Sequence, residues 1–364
     1  RGAAATVKPG QWLDSAFQDN VSAKVVKTPH GKFGYLRLWS FDLADDVGFV
    51  DEVARLLEAL PDDGLIVDLR GNPGGLIWAA ERLLQLLGPG PGPIEPTKFS
   101  LLATPLTREM AKATQNEDEL QPWRESLEEA VANGEPYSQA VPITPPDRCN
   151  DIGQVYGGPV VAVVDPNTYS AGDLFAAGFF DNGLGTLVTV GEATGAGGAN
   201  VWMPEQVQDA LLGTRYELAT LPDGIGYSIS VRRATRAGGS DGLVIEDVGV
   251  RGHQTYAMTK DDLVDNNCDL LSFCAKTLAS QPTTALRVTA VGDASVVVAT
   301  SGLDRLDVYV DDRPQGWLPI DTTEKSGSAE TTVTVPDDWS TIELKGFAGE
   351  QLRQRRHVHR SDER

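Results

Sequence analysis

Two short, largely apolar runs constrain this chain more than any other feature: Gly64-Leu65-Ile66-Val67-Asp68-Leu69-Arg70 and Val160-Val161-Ala162-Val163-Val164. Runs of this length bounded by turn residues read as strands buried on both faces. Each leads through a loop into an apolar or amphipathic helix. The first helix begins near Leu76 and carries Ala80, Leu83, Leu84 and Leu87; the second begins near Ala171. Strand, helix, strand, helix at this spacing implies parallel strands joined by right-handed crossovers. Upstream, residues 21–28 and 33–39 alternate around Pro29-His30-Gly31-Lys32, the pattern of a β-hairpin. A helix capped by Asp45 or Asp46 follows, with Val50, Val53, Leu57 and Leu60 on one face.

Residues 88–98 are rich in Gly and Pro, and residues 99–158 are polar and irregular, with one expected helix from Pro122 to Ala132. This reads as an insertion placed to cover a site. Beyond Val164 the pattern predicts a strand over Leu187–Gly191, a flexible loop over Thr194–Asn200, strands over Tyr227–Val231 and Leu243–Val250, and one helix over Lys260–Leu278. From Thr283 the character changes. Short alternating segments (Leu286–Val291, Ser295–Thr300, Arg305–Val310, Glu330–Val335, Thr341–Lys345) separated by Gly, Asp and Pro predict a small all-β sandwich. The closing basic run, Arg353 to Arg360 with His357 and His359, reads as a frayed end. The expected organisation is an N-terminal segment and hairpin (1–32), an α/β core (33–280, insertion 88–158) and a β-sandwich (281–364).

A net charge of −21 argues against a nucleic-acid or anionic-membrane surface. No apolar run is long enough to span a bilayer. Cys149, Cys268 and Cys274 make a poor disulfide framework, and no Cys/His cluster has zinc spacing, so reduced thiols and no metal or cofactor are expected. Residue 1 is Arg, the expectation for a fragment or processed form. Compartment and homo-oligomerisation stay open at this point.

Chemistry enters at Ser170, which stands where the second helix begins. There its hydroxyl meets free backbone N–H groups and the positive end of the helix dipole. That suits a nucleophile whose attack creates an oxyanion, and it equally suits an N-cap, with Asp173 completing a capping-box pattern. Asp68-Leu69-Arg70-Gly71-Asn72-Pro73-Gly74-Gly75 places three glycines just past a strand, either as a tight turn or as a source of outward N–H donors. A phosphate loop does not fit, because neither a Walker Lys-Ser/Thr nor Gly-x-Gly-x-x-Gly is present.

Taken in order, four motifs resemble the C-terminal processing (tail-specific) serine protease family, which includes the tricorn core and the chlamydial protease-like activity factor. Gly64 to Gly75 is similar to its Asp-Leu-Arg-x-Asn-x-Gly-Gly signature, and Pro159 to Asn182 to its nucleophile segment. Gly191-Glu192-Ala193-Thr194 is similar to its Gly-Glu-x-Thr, and Glu246-Asp247-Val248-Gly249-Val250 to its closing Glu-x-x-Gly-Val. The resemblance covers roughly residues 33–280. It implies an α/β, ClpP/crotonase-like βαβ protease core, a polypeptide substrate, Ser170 as nucleophile, and an oxyanion hole from the N–H of Ala171 with Gly74 or Gly75.

The family has two mechanistic types. A Ser-Lys dyad needs a lysine in the loop after Gly-Glu-x-Thr, and none lies between Lys112 and Lys260. The Ser-His-Glu type then applies, with Glu246 at the glutamate position, orienting an imidazole. Neither His30, in a hairpin turn, nor His253 matches the family's histidine. The expected base lies upstream, on a segment removed, cleaved or carried by another chain. Two other readings remain: a catalytically silent protease-like binding or scaffold protein, and acyl-thioester chemistry in which Ser170 is incidental.

Overall fold

The computed structural model describes residues 8–89, 92–113, 120–199, 201–320 and 328–360. The predicted hairpin forms from β1 (Val21–Thr28) and β2 (Gly31–Leu38), antiparallel from Val21 opposite Leu38 to Thr28 opposite Gly31. Helix α1 (Asp46–Ala59) starts at Asp45, whose carboxylate accepts the Gly48 N–H at 2.9 Å. Strand β3 (Leu65–Asp68) and helix α2 (Ile77–Leu87) follow. The insertion holds β4 (Lys98–Leu101), α3 (Pro105–Lys112), α4 (Arg124–Asn133) and β5 (Val141–Pro142). The core resumes with β6 (Val160–Val164), α5 (Ala171–Asp181) and β7 (Thr186–Val190).

Next come β8 (Val201–Trp202), α6 (Pro204–Leu211), β9 (Ile229–Ser230), β10 (Arg232–Thr235) and β11 (Gln254–Tyr256). The central sheet runs β1-β2-β3-β6-β7-β11, parallel throughout after the antiparallel hairpin. The period-2 alternation of a strand sorts its buried residues between two layers. Leu65, Val67, Val160, Ala162 and Val164 join the core beneath α1, α2 and α5. Ile66, Val161 and Val163 face Leu270, Cys274 and Leu278 on the other side.

The expected single helix over Lys260–Leu278 is two, α7 (Lys260–Val264) and α8 (Cys268–Ala279). Asn266 and Asn267 between them adopt positive φ (50° and 61°), a conformation Asn tolerates and helices exclude. The expected strand over Leu243–Val250 is a turn with one bridge, Val244 to Thr235, because Asp247 and Gly249 also have positive φ. Of Tyr227–Val231 only β9 is strand. The insertion does not stay irregular: β4 is clamped between β10 and β5, and the Trp123 indole N–H donates to the Phe99 carbonyl at 2.5 Å.

The C-terminal region is a β-sandwich. One sheet holds β12 (Ala285–Gly292), β13 (Ser295–Ser301) and β16 (Ser328–Thr334). The other holds β14 (Arg305–Val310), β15 (Arg313–Pro319), β17 (Thr341–Ala348) and β18 (Gln351–His359). Leu286, Val296, Val298, Leu306, Trp339, Ile342 and Leu344 fill the space between them. The basic terminal run is therefore not frayed. It is β18, paired along β17, and it fastens the sandwich to the core. Arg356 donates to the Gln154 carbonyl at 2.8 Å, and the buried Gln354 amide donates to the carbonyls of Gly157 and Thr284. Residues 154–157 precede β6, so the sandwich sits at the end of the sheet where the parallel strands begin.

Candidate active site

The site forms at the opposite end, where β3 and β6 finish. Asp68, buried at the last position of β3, accepts the Tyr35 hydroxyl (2.8 Å) and the guanidiniums of Arg37 (3.1 Å) and Arg70 (2.7 Å). Burial works against its ionised form, but the Arg70 and Arg37 charges hold the carboxyl below the usual range. This knot fixes the direction in which the chain leaves β3. Asn72, wholly buried, then does the shaping: its amide donates to the Leu38 carbonyl, its Oδ1 accepts the Gly74 N–H at 2.9 Å, and its carbonyl accepts the Tyr169 N–H at 2.9 Å. Asn72 thus ties the glycine turn to the segment before Ser170, a role the motif alone did not reveal.

Gly74 has φ +96°, and a Cβ there would lie 2.5 Å from the Ser170 Cβ and 2.8 Å from the Ala171 nitrogen. The turn after β3 is thus packed directly onto the start of α5. Because the Gly74 N–H is committed to Asn72, it is not a free donor. The N–H groups of Gly75 and Ala171 make no hydrogen bond among the described residues. These two of the three expected oxyanion donors remain open.

Ser170 is half-buried and has φ 55° and ψ −121°, a region costly for a side chain with a Cβ. Its hydroxyl makes no capping bond, so the N-cap reading of the sequence fails at the atom that mattered. The Asp173 half of the capping box survives, with its carboxylate beside the Ser170 N–H. Strain at a residue whose hydroxyl makes no hydrogen bond among the described residues is of the kind that clusters at functional sites. Ser170→Gly should therefore raise unfolding stability by about 1 kcal/mol, since Gly enters this region without penalty. Urea unfolding checks this, and an unchanged or lower midpoint would contradict the strain.

The loop after β7 closes the site from the side. Gly195 and Gly197 lie against the Tyr169 ring so closely that a Cβ on either would fall 2.1–2.4 Å from it. Asp173, fully buried, accepts the N–H groups of Ala196 (3.0 Å) and Gly197 (2.9 Å). Burial raises its carboxyl above the ordinary range against these bonds. Asn200, at the end of the expected loop, lies outside the described residues.

Glu246 lies on the turn that follows β10, in a cleft whose lining does not include Ser170. Its Oε1 accepts the Ala234 N–H at 2.8 Å, while its Oε2 is buried and makes no hydrogen bond among the described residues. Desolvation raises its pKa, and the neighbouring Asp173 charge adds to that. It lines a cleft of about 340 Å³ with Tyr137, Ala199, Ser230 and Arg233. No hydrogen bond joins Ser170 and Glu246 among the described residues.

All four histidines lie elsewhere. His30 occupies the turn where β2 begins, a strand length of roughly 25 Å from the site end. The His253 Nδ1 accepts the Leu187 N–H at 3.0 Å, and its ring stacks on Phe180 at 4.2 Å. Phe180 is ten residues along α5 from Ser170, about 15 Å at 1.5 Å per residue. His357 and His359 belong to β18 of the sandwich.

Residues 32–232 match the family model described as peptidase family S41. Among solved structures, mature CPAF complexed with lactacystin is similar to this chain at 17% identity and a TM-score of 0.53, over 76% of this chain and 57% of that one. The photosystem II D1 C-terminal processing protease (19% identity, TM-score 0.37, 76% and 52% covered) and the tricorn protease (16%, 0.34, 68% and 17%) superpose more loosely. The chain thus spans a little over half the length of the CPAF structure it matches. No curated protein matches it.

Proposed function

Because this chain belongs to peptidase family S41, we propose that it is a serine endopeptidase acting through a Ser170 acyl-enzyme. The observation that carries the reading is the strained, uncapped Ser170 packed against Gly74, with the Gly75 and Ala171 N–H groups open beside it. In this mechanism the Ser170 Oγ attacks the peptide carbonyl carbon and its proton passes to an imidazole. The tetrahedral oxyanion accepts from Ala171 and Gly75, each donor contributing about 2.7–4 kcal/mol to the transition state. The imidazole then protonates the leaving amine, and water resolves the ester by the same path in reverse.

Glu246 orients that imidazole and stabilises its cation. Its buried, unpartnered Oε2 is the acceptor an imidazole N–H requires. With all four histidines of this chain at other places in the fold, the base comes from a histidine outside these residues, on an N-terminal segment or another chain. Loss of such a base lowers acyl transfer by about three to four powers of ten or more.

The test is labelling of the full-length protein by a fluorophosphonate. Ser170→Ala should abolish both labelling and proteolysis, with thermal stability retained. Undiminished cleavage by that variant overturns the assignment. A wild-type protein that binds peptides but takes no label would instead favour a silent binding relative, the reading that the placement of the histidines also accommodates.

A further inference from the structure

The acyl-transfer steps leave one buried acid in the site without a role. The Asp173 carboxylate is fully shielded from solvent, and each of its two oxygens accepts a backbone N–H from the loop after β7. The donors are the N–H groups of Ala196 and Gly197, and the Ser170 N–H and the Thr194 hydroxyl lie beside the same carboxylate. The Thr194 hydroxyl in turn accepts the Val250 N–H at 2.8 Å, and the Thr194 N–H donates to the Val250 carbonyl at 3.1 Å. Val250 ends the turn that carries Glu246, a turn closed by the Gly249 N–H on the Ile245 carbonyl at 2.8 Å. Asp173, in the first turn of α5, therefore grips the 194–197 loop, and Thr194 of that loop grips the turn holding Glu246.

We propose that Asp173 and Thr194 are positioning residues that hold Ser170 in its strained conformation and set its separation from Glu246, so that one imidazole fits between them. The proposal rests on the reading of Ser170 as nucleophile. A helix that needed only a cap would be served by the Ser170 hydroxyl itself, at no cost in buried charge. Burying a carboxylate with no cation bonded to it is expensive unless every lone pair is satisfied. Here the two oxygens of a helix residue are met by two backbone N–H groups of a separate loop, which is what a spacer between two segments requires. A residue at φ 55° persists only where its surroundings over-determine it, and the Asp173 carboxylate beside its N–H and the Gly74 backbone packed on its Cβ are among those constraints.

Asp173→Asn keeps the volume but points an amide NH₂ at backbone N–H donors, so the 194–197 loop must lift. Thr194→Val keeps the shape and removes the relay hydroxyl, whereas Thr194→Ser keeps the hydroxyl. The experiment measures fluorophosphonate labelling of the full-length protein by intact mass, with maximal rate and half-saturating probe concentration fitted separately. Amide exchange at Ala196 and Gly197 is followed in parallel.

Both Asp173→Asn and Thr194→Val should lower the maximal rate by about 100-fold, the effect of a misplacement near 1 Å, with half-saturation changed less than about twofold. Thr194→Ser should recover most of the lost rate, and exchange at Ala196 and Gly197 should quicken in Asp173→Asn. If Asp173→Asn fails to fold, the Val and Ser variants at 194 decide. Equal labelling rates for those two, or a wild-type rate in Asp173→Asn while Ser170→Ala stays unlabelled, overturn the positioning role and leave the nucleophile standing. Labelling that persists in Ser170→Ala, or a wild-type protein that takes no label, removes the nucleophile reading and this proposal with it.

Discussion

Gly75→Ala should cost about 3–5 kcal/mol of stability and lower the melting temperature by roughly 10 °C. A Cβ at residue 75 would lie 2.1 Å from the Phe41 carbonyl carbon, 2.2 Å from its oxygen and 2.3 Å from the Asp42 nitrogen. These are backbone atoms, so no rotamer change relieves the overlap. The parallel bridge between Phe41 and Gly75 must open, taking with it the bonds from the Phe41 N–H to Gly74 (2.8 Å) and from the Leu76 N–H to Phe41 (2.7 Å). Two such bonds are worth about 1 kcal/mol each. Placing alanine at φ +132°, a region left to Gly, adds about 1–3 kcal/mol. The same displacement moves the Gly75 N–H, so labelling of Ser170 should fall along with stability. Calorimetry and the labelling assay check the two halves. A Gly75→Ala protein that melts like wild type would mean that the 39–42 segment does not pack on this turn.

Glu81→Gln should stabilise the protein by about 3 kcal/mol at pH 8 and leave it nearly unchanged at pH 4.5. Glu81 lies fully buried in α2, where it accepts the Thr97 N–H at 2.8 Å and the Thr144 hydroxyl, so it pins both ends of the insertion to the core. No cation pairs with it among the described residues, and desolvation raises its pKa from 4.5 to about 7. The folded state therefore binds this proton more tightly than the unfolded chain. Its stabilising contribution is complete below about pH 4.5, declines as pH rises to about 7, and is gone above that. At 1.36 kcal/mol per unit, the span between the two values amounts to about 3 kcal/mol. Glutamine reproduces the protonated form at every pH: its oxygen accepts from Thr97 and its NH₂ donates to Thr144. The measurement is the difference in urea stability between variant and wild type at pH 5, 6, 7 and 8. That difference should grow steadily with pH. A flat difference would show that Glu81 titrates normally.

The sequence made the central strands legible because burial on both faces leaves a compositional mark that needs no partner to be recognised. Gly64–Arg70 and Val160–Val164 read as strands, and strands form there over Leu65–Asp68 and Val160–Val164. The sandwich was legible by alternation, but β15 and β18 were not. Six of the seven residues of β15 are exposed, which removes the apolar half of the pattern, and the Arg and His of β18 pack against polar partners of the core. The turn at 246–250 deceived for a related reason. Its apolar residues Ile245 and Val250 are buried by tertiary contact rather than by a sheet, and the positive φ of Asp247 breaks the strand their pattern suggested. The break at Asn266-Asn267 has the same origin: two residues that tolerate left-handed backbone interrupt a continuous helical periodicity.

At the site, residue types and their order came from the sequence, whereas distance and direction decide which of their atoms are free to act. A serine before an apolar helix is an N-cap until its backbone is seen at φ 55° and ψ −121° with the hydroxyl uncommitted. Three glycines after a strand are interchangeable donors until the Asn72 Oδ1 claims the N–H of one of them. Four histidines are four candidate bases until the parallel sheet, which has two unlike ends, places Ser170 at one end and its hairpin turn and the sandwich bearing β18 at the other. The sequence by itself determined a parallel α/β core, its appended sandwich and an ordered set of motifs, because hydrophobic period and glycine position are local. Only the tertiary structure decided which N–H groups are free, which carboxylate oxygen is left without a hydrogen bond among the described residues and which end of the sheet each residue occupies. Those properties depend on contacts between residues tens to hundreds of positions apart, such as Asp173 with Ala196 and Thr194 with Val250.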